Sequence, residues 1–165
     1  MQLDRRAFLG FGGAAIVAGV AFTLPGRDGG ADAQGRAFPF RLTDAQWRQR
    51  LNPQAYYILR QGGTERAGSS PLDHEHRRGT FLCAGCALPL FSSTTKFDSG
   101  TGWPSFYAPL GHAVVTRTDN SIGMSRTEVL CARCGGHLGH VFDDGPRPTG
   151  LRYCMNGLAL TFRPA

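Results

Sequence analysis

Two C-x2-C pairs constrain this chain more than any other feature. Cys83 and Cys86 form the first, in "CAGC", and Cys131 and Cys134 the second, in "CARC". At that spacing two thiolates can bind one ion from a single turn, and two such turns complete a tetrahedron. Each pair follows a strand-like run, "TFLC" and "TEVLC", as in zinc ribbons. Glycines in the turns, Gly85 and Gly135, allow tight backbone geometry. Other arrangements use the same residues: disulfides, a redox C-x-x-C, an iron centre, or a local set of Cys131, Cys134, His137 and His140. The last would orphan Cys83 and Cys86, so the four-thiolate set explains more residues. The expectation is one structural zinc on Cys83, Cys86, Cys131 and Cys134. Such a closed site has no open position, which assigns the metal to stability rather than to chemistry.

A chain of 165 residues is about one domain. With 18% charged and 41% hydrophobic residues, it belongs to the folded globular class. Its 23 glycines and 10 prolines point to many turns and short strands rather than a helical bundle. The net charge is +6, carried almost wholly by arginines, with Lys96 the only lysine. These arginines are scattered singly, apart from Arg5-Arg6 and Arg77-Arg78. A nucleic-acid surface would cluster them, so no nucleic-acid partner is expected.

The first residues read as an export signal rather than as part of the fold. Arg5 and Arg6 form a positive region, an apolar run extends from Ala7 to Leu24, and Ala31 and Ala33 supply an A-x-A cleavage pattern. Paired arginines followed by "AFLG" resemble a twin-arginine signal. Retention as a membrane anchor is the competing reading, but the run is at the lower edge of a bilayer span and rich in glycine. The expected division is a signal over 1–33 and a mature domain over 34–165. The mature chain would be periplasmic, with no stable membrane span. A route that exports folded proteins would also protect cysteine pairs that an oxidising compartment could convert to disulfides.

Within the mature chain, "RLTDAQWRQRLNPQAYYILRQGGTE" predicts two short helices. Thr43 is the first N-cap, with Gln46 completing a capping box. Asn52-Pro53 starts the second helix and Gly62-Gly63 stops it. "RAGSSPLDHEHRRG" is polar and loop-like. After Gly79 the runs "TFLC", "HAVVTRT", "IGMSRTEVLC", "HLGHVFD", "GLRYCMN" and "LALTFRP" predict short strands separated by turns. The class is mainly β and antiparallel, behind two helices.

The fifth cysteine stands apart, in "GLRYCMNGLAL". Strand alternation puts Arg152, Cys154 and Asn156 on one face, and Tyr153 and Met155 on the other. A guanidinium near a thiol favours the thiolate. The bland alternative is a small buried cysteine with a solvated arginine. "GGHLGHVFDDGP" adds His137, His140, Asp143 and Asp144 within eight residues, the groups that cysteine chemistry uses as acid, base and orienting carboxylate. They could equally make a polar turn. "KFDSGTGWPSF" adds Trp103 and Phe106, as core residues or as the wall of a small apolar pocket.

These motifs in this order, "CAGC", "KFDSGTGWPSF", "GMSRTEVLCARCGGHLGHVFDDGP" and "TGLRYCMNGLALTF", resemble methionine-R-sulfoxide reductases, the B-type enzymes. The resemblance runs from about Leu42 to Phe162. It implies two small antiparallel sheets and a structural zinc far from the active site. Cys154 matches the nucleophile that attacks the sulfoxide sulfur. His140 matches the acid for the sulfoxide oxygen, with His137 beside it. Asp144 matches the carboxylate that orients the cluster, Arg152 the stabiliser of the thiolate, and Asn156 the amide that positions site groups. Trp103 matches the indole on the substrate's S-methyl group, and Phe106 is placed with it as a substrate contact. The implied substrate is methionine-R-sulfoxide in oxidised proteins, and the expected assembly is a monomer.

One position departs from the family. Many members carry a resolving cysteine between the glycines of this segment, where this chain has Thr101. The expectation is therefore direct reduction of a Cys154 sulfenic acid by an external thiol, such as a thioredoxin-like protein. Two rivals remain on residues alone: a zinc-ribbon binding module with an inert Cys154, and a peroxide-reducing thiol protein.

Overall fold

A computed structural model describes residues 37–121 and 123–165. The expected export signal over 1–33 lies outside the described residues. Helix α1 spans Asp44–Arg50, and Thr43 and Gln46 form the capping box, worth roughly 1 kcal/mol in such helices. Helix α2 spans Pro53–Gln61, capped by the Asn52 side chain and stopped by Gly62 at φ 70. Trp47, Ala55, Tyr56, Ile58 and Leu59 are the residues these helices bury.

Nine strands follow among the described residues: β1 (Gly79–Cys83), β2 (Pro89–Ser92), β3 (Lys96–Phe97), β4 (Ser105–Phe106), β5 (Val114–Asp119), β6 (Arg126–Cys131), β7 (His137–Phe142), β8 (Arg152–Met155) and β9 (Leu160–Pro164). They make two sheets, β2-β1-β9 and β3-β4-β8-β7-β6-β5, with the pairings antiparallel. The expected mainly β class with two antiparallel sheets is what the chain forms. Strands β2, β3 and β4 are absent from the sequence-based reading. Two of them are only two residues long, and β2 opens on Pro89, so none shows a readable alternation.

Phenylalanines join the sheets. Phe106 of β4 stacks on Phe91 of β2 at 4.3 Å and meets Phe81 of β1 edge-on at 4.9 Å. Phe81 also contacts Phe162 of β9. Phe106 is fully buried, which corrects its placement as a substrate contact. Alternation explains the difference. Ser105 is the residue of β4 paired with Cys154, and Phe106, one residue on, points to the opposite face and into the core. Phe106→Ala should therefore cost about 3–5 kcal/mol of stability, read from denaturant unfolding. A loss below about 1 kcal/mol would place the ring outside the core.

Candidate active site and metal centre

The two knuckles fold alike. In the first, Ala87 N–H donates to Cys83 O and Cys83 N–H to Leu88 O; in the second, Gly135 N–H donates to Cys131 O and Cys131 N–H to Gly136 O. The residue after each second cysteine is left-handed, Ala87 at φ 59 and Gly135 at φ 68. The first knuckle thus turns at Ala87 rather than at Gly85. Gly85 instead faces Trp47, whose ring would lie 3.3 Å from an added Cβ.

All four sulfurs are buried and lie within 4.8 Å of one another. Cys83 Sγ is 3.7 Å from Cys134 Sγ, and Cys86 Sγ is 3.5 Å from Cys131 Sγ. Those separations exceed a disulfide's ~2.05 Å. They approach the ~3.8 Å edge of a tetrahedron built with metal–sulfur bonds near 2.3 Å. The cysteines therefore fit one metal ion. Three guanidiniums surround the clasp: Arg50 donates to Gly85 O, Arg60 to Cys134 O and Arg133 to Cys86 O. Their charge offsets that of four thiolates around a divalent ion.

Five side chains align across the larger sheet in one rung. Ser105 pairs with Cys154, Cys154 with His140, His140 with Glu128, and Glu128 with Arg117. Cys154 thus lies between a hydroxyl on one strand and an imidazole on the next. His137 is three residues from His140, and in a regular strand it would face the other way. A β-bulge removes the difficulty: Val129 pairs with Gly139, but Leu130 pairs with His137. The extra residue, Leu138, restores His137 to the face of His140, and the rings sit 5.4 Å apart. Asn156 caps the bulge, donating from both its backbone N–H and its Nδ2 to Leu138 O.

Each histidine has a carboxylate, but neither is Asp144. His137 Nδ1 contacts Glu128 at 2.6 Å and His140 Nε2 contacts Asp119 at 2.8 Å. Glu128 also binds Arg117, and Asp119 binds Arg126 at 2.6 Å. Asp144 instead grips Arg152 through two hydrogen bonds of 2.8 Å. Asp144 therefore orients the guanidinium rather than the histidines. Strand geometry accounts for the correction, since β6 runs directly beside β7 and β5 directly beside β6. Asp119 and Glu128 gave no sequence signal, being distant in the chain from either histidine.

Burial pulls the His140 imidazole below its ordinary value, and Asp119 only partly offsets this. Hydrogen bonds from Ser121, then from His140 and Arg126, hold the Asp119 carboxyl well below the usual range. With Nε2 tied to Asp119, Nδ1 is the His140 nitrogen left for chemistry. His137 Nε2 is buried without a hydrogen-bond partner among the described residues, so it too can meet a ligand.

Cys154 is half-buried. Burial pushes its thiol up, while Thr101, Arg152 and Ser105 each pull it down. Arg152 thus acts in the expected direction, but desolvation outweighs it and favours the thiol. Thr101 Oγ1 lies 3.9 Å from Cys154 Sγ. Ser99 Oγ links Thr101 to Ser105, at 2.8 Å from each hydroxyl. Trp103 enters two residues before Ser105, its Nε1–H donating to Glu65 O at 3.2 Å. The metal clasp and the site share a strand: Cys131 lies three residues from Glu128 on β6, about 10 Å along it.

Fold and site together define a mainly β thiol protein, clasped by a four-cysteine metal site and carrying a cysteine paired across the sheet with a histidine. The profile of the SelR domain family matches residues 51–164, and the chain belongs to that family. It is 60% identical over 123 residues to a peptide methionine sulfoxide reductase MsrB of Thiobacillus denitrificans, covering 74% of this chain and 93% of that one. A protein of the same name from Leptospira interrogans is 56% identical over 122 residues, covering 73% and 93%. Another, from Agrobacterium fabrum, is 54% identical over 123 residues, covering 74% and 91%.

Alkylation of Cys154 by iodoacetamide should rise with pH through a midpoint above that of a free cysteine. Arg152→Gln should move the midpoint further up, because a cation that favours the thiolate is lost. Mass spectrometry of the Cys154 peptide against pH reads both, and a wild-type midpoint below the free-cysteine value would contradict the dominance of burial.

Proposed function

We propose that this chain is a thiol-dependent reductase that converts the R epimer of methionine sulfoxide, chiefly in oxidised proteins, to methionine. The observation that carries this reading is the cross-strand pairing of Cys154 with His140, on a sheet that also leads to Trp103. The family membership and the printed names of the relatives point the same way.

In the proposed reaction the Cys154 sulfur attacks the sulfoxide sulfur. The thiol's proton passes through His140 Nδ1 to the sulfoxide oxygen, with Asp119 holding the imidazole and stabilising its charged form as the proton passes. The S–O bond of the substrate breaks and the oxygen becomes a hydroxyl on Cys154. Two electrons have moved from the cysteine sulfur to the methionine sulfur, leaving methionine and a sulfenic acid. An external thiol then attacks Cys154, water leaves, and a second thiol resolves the mixed disulfide to restore Cys154. Thr101 in contact with Cys154 supports the absence of an internal resolving cysteine, since its hydroxyl cannot form a disulfide. The other four cysteines are gathered in the metal clasp.

Trp103 is the proposed apolar wall for the S-methyl group, opposite the histidines that receive the oxygen. Opposed walls of that kind select one sulfur epimer. The metal is proposed to be zinc, bound by Cys83, Cys86, Cys131 and Cys134. It would supply structural cross-linking of the two knuckles and take no part in the reaction. Residues 1–33 are proposed as a twin-arginine export signal, which would make the mature chain periplasmic. The Arg5-Arg6 pair, the apolar run and the A-x-A site support that reading. No helix among the described residues is long and apolar enough to cross a membrane. A thioredoxin-like protein is the proposed reductant and a monomer the proposed state.

A peptide carrying each sulfoxide epimer, assayed with dithiothreitol, tests the activity. The R epimer should be consumed and the S epimer left. Cys154→Ser should abolish turnover while keeping one zinc per chain and the wild-type unfolding midpoint. Turnover retained in that variant, or no turnover of either epimer by the wild type, would remove the proposal.

A further inference from the structure

We infer that Glu65 is the positioning residue that sets where Trp103 stands relative to Cys154, and thereby how the substrate's S-methyl group is received. This rests on the functional reading above. Glu65 lies in the loop after α2, far from the catalytic strands in sequence, and is buried. Four hydrogen bonds converge on it. Its carboxylate oxygens accept from Gly157 N–H at 2.6 Å and Leu158 N–H at 2.9 Å. Its own N–H donates to Asn156 Oδ1 at 2.9 Å, and its carbonyl accepts from the Trp103 indole at 3.2 Å. One residue thus joins the turn that immediately follows the Cys154 strand to the ring proposed to meet the substrate.

Its surroundings make the tie rigid. Gly68 N–H donates to Gly102 O at 2.7 Å, a second link one residue before Trp103. Gly102 is left-handed at φ +84, and an added Cβ would stand 2.7 Å from Gly68 N. On the other side, a Cβ on Gly157 would fall 1.9 Å from Ser70 Oγ. The strap over 65–70 is therefore clamped between the Trp103 loop and the turn after Cys154. An indole has a single polar handle, so fixing Nε1 fixes the ring plane and leaves its face for apolar contact.

The residue type matters. A carboxylate accepts at both oxygens and forms strong hydrogen bonds to backbone N–H groups. A glutamine accepts at one oxygen only, and its amide would confront the second N–H donor. Glu65→Gln should therefore loosen the strap while altering nothing that touches Cys154.

The test uses the metal-loaded full chain. Glu65→Gln should raise KM for an R-sulfoxide peptide about ten-fold or more, with kcat little changed and the Cys154 alkylation rate unaltered. The indole N–H resonance of Trp103 should shift. Trp103→Phe removes the same hydrogen bond from the other partner and should raise KM similarly, and the double variant should add little to either single change. Unchanged KM, fully additive effects, or a fall in kcat and alkylation with KM unchanged would overturn the inference. If Glu65→Gln does not fold, Glu65→Asp, which keeps the carboxylate but shortens its reach to Gly157 and Leu158, takes its place, and an unchanged KM with an unshifted Trp103 resonance there overturns it. Failure of the functional reading looks different: the wild type would turn over no sulfoxide, whereas the Trp103 resonance would still report whether Glu65 positions the ring.

Discussion

The bulge at Leu138 is the constraint on which the site depends. An unbroken strand cannot present residues three apart on one face. With Leu138 inserted opposite Leu130, β7 brings the His137 ring to 5.4 Å from that of His140, the residue paired with Cys154. The bulge is held, not merely tolerated, because Leu138 O receives two donors from Asn156. Gly139 completes the fit. A Cβ there would fall 2.1 Å from Cys154 O, so only glycine lets β8 lie this close to β7. The same short stretch therefore seats the histidines and fixes the height of the reacting sulfur beside them.

Around that centre the electrostatics are opposed by design of the rungs. Arg117 and Glu128 pair across β5 and β6, and so do Asp119 and Arg126. Each carboxylate reaches on to one histidine, so both rings are held at one nitrogen and have no hydrogen-bond partner among the described residues at the other. Burial acts against charge on both reacting groups, raising the Cys154 thiol and lowering the His140 imidazole. Both shifts favour the uncharged forms, a thiol beside a neutral imidazole. The metal clasp stiffens the far ends of the strands that carry these groups. It closes the gap between the end of β1 and the end of β6, with Cys131 on the same strand as Glu128.

Local features were legible in the sequence and long-range ones were not. Thr43, Asn52 and Gly62 announce both helices, because caps act within a few residues. The four metal cysteines are readable from spacing, whereas the bonds of the Asn156 side chain to Leu138 O and Glu65 N–H, just past the end of β8, are not announced by alternation. Asp119, Glu128 and Glu65 were invisible, since each acts on a group brought near only by strand pairing or by a loop crossing. Asp144 was misplaced for the same reason: nearness in the chain suggested the histidines, whereas the sheet gives it Arg152. Phe106 was misread because β4 is two residues long and offers no alternation to follow. The bulge itself left no mark that a glycine beside a leucine would reveal.

In the proposed cycle Cys154 alone carries the oxidising equivalent, with Thr101 beside it unable to relieve it. One turnover of the R-sulfoxide peptide without reductant, followed by dimedone and mass spectrometry of the intact and digested protein, tests this directly. A dimedone adduct on Cys154, one methionine formed per chain and four unmodified metal cysteines are expected. An internal disulfide containing Cys154 would contradict it.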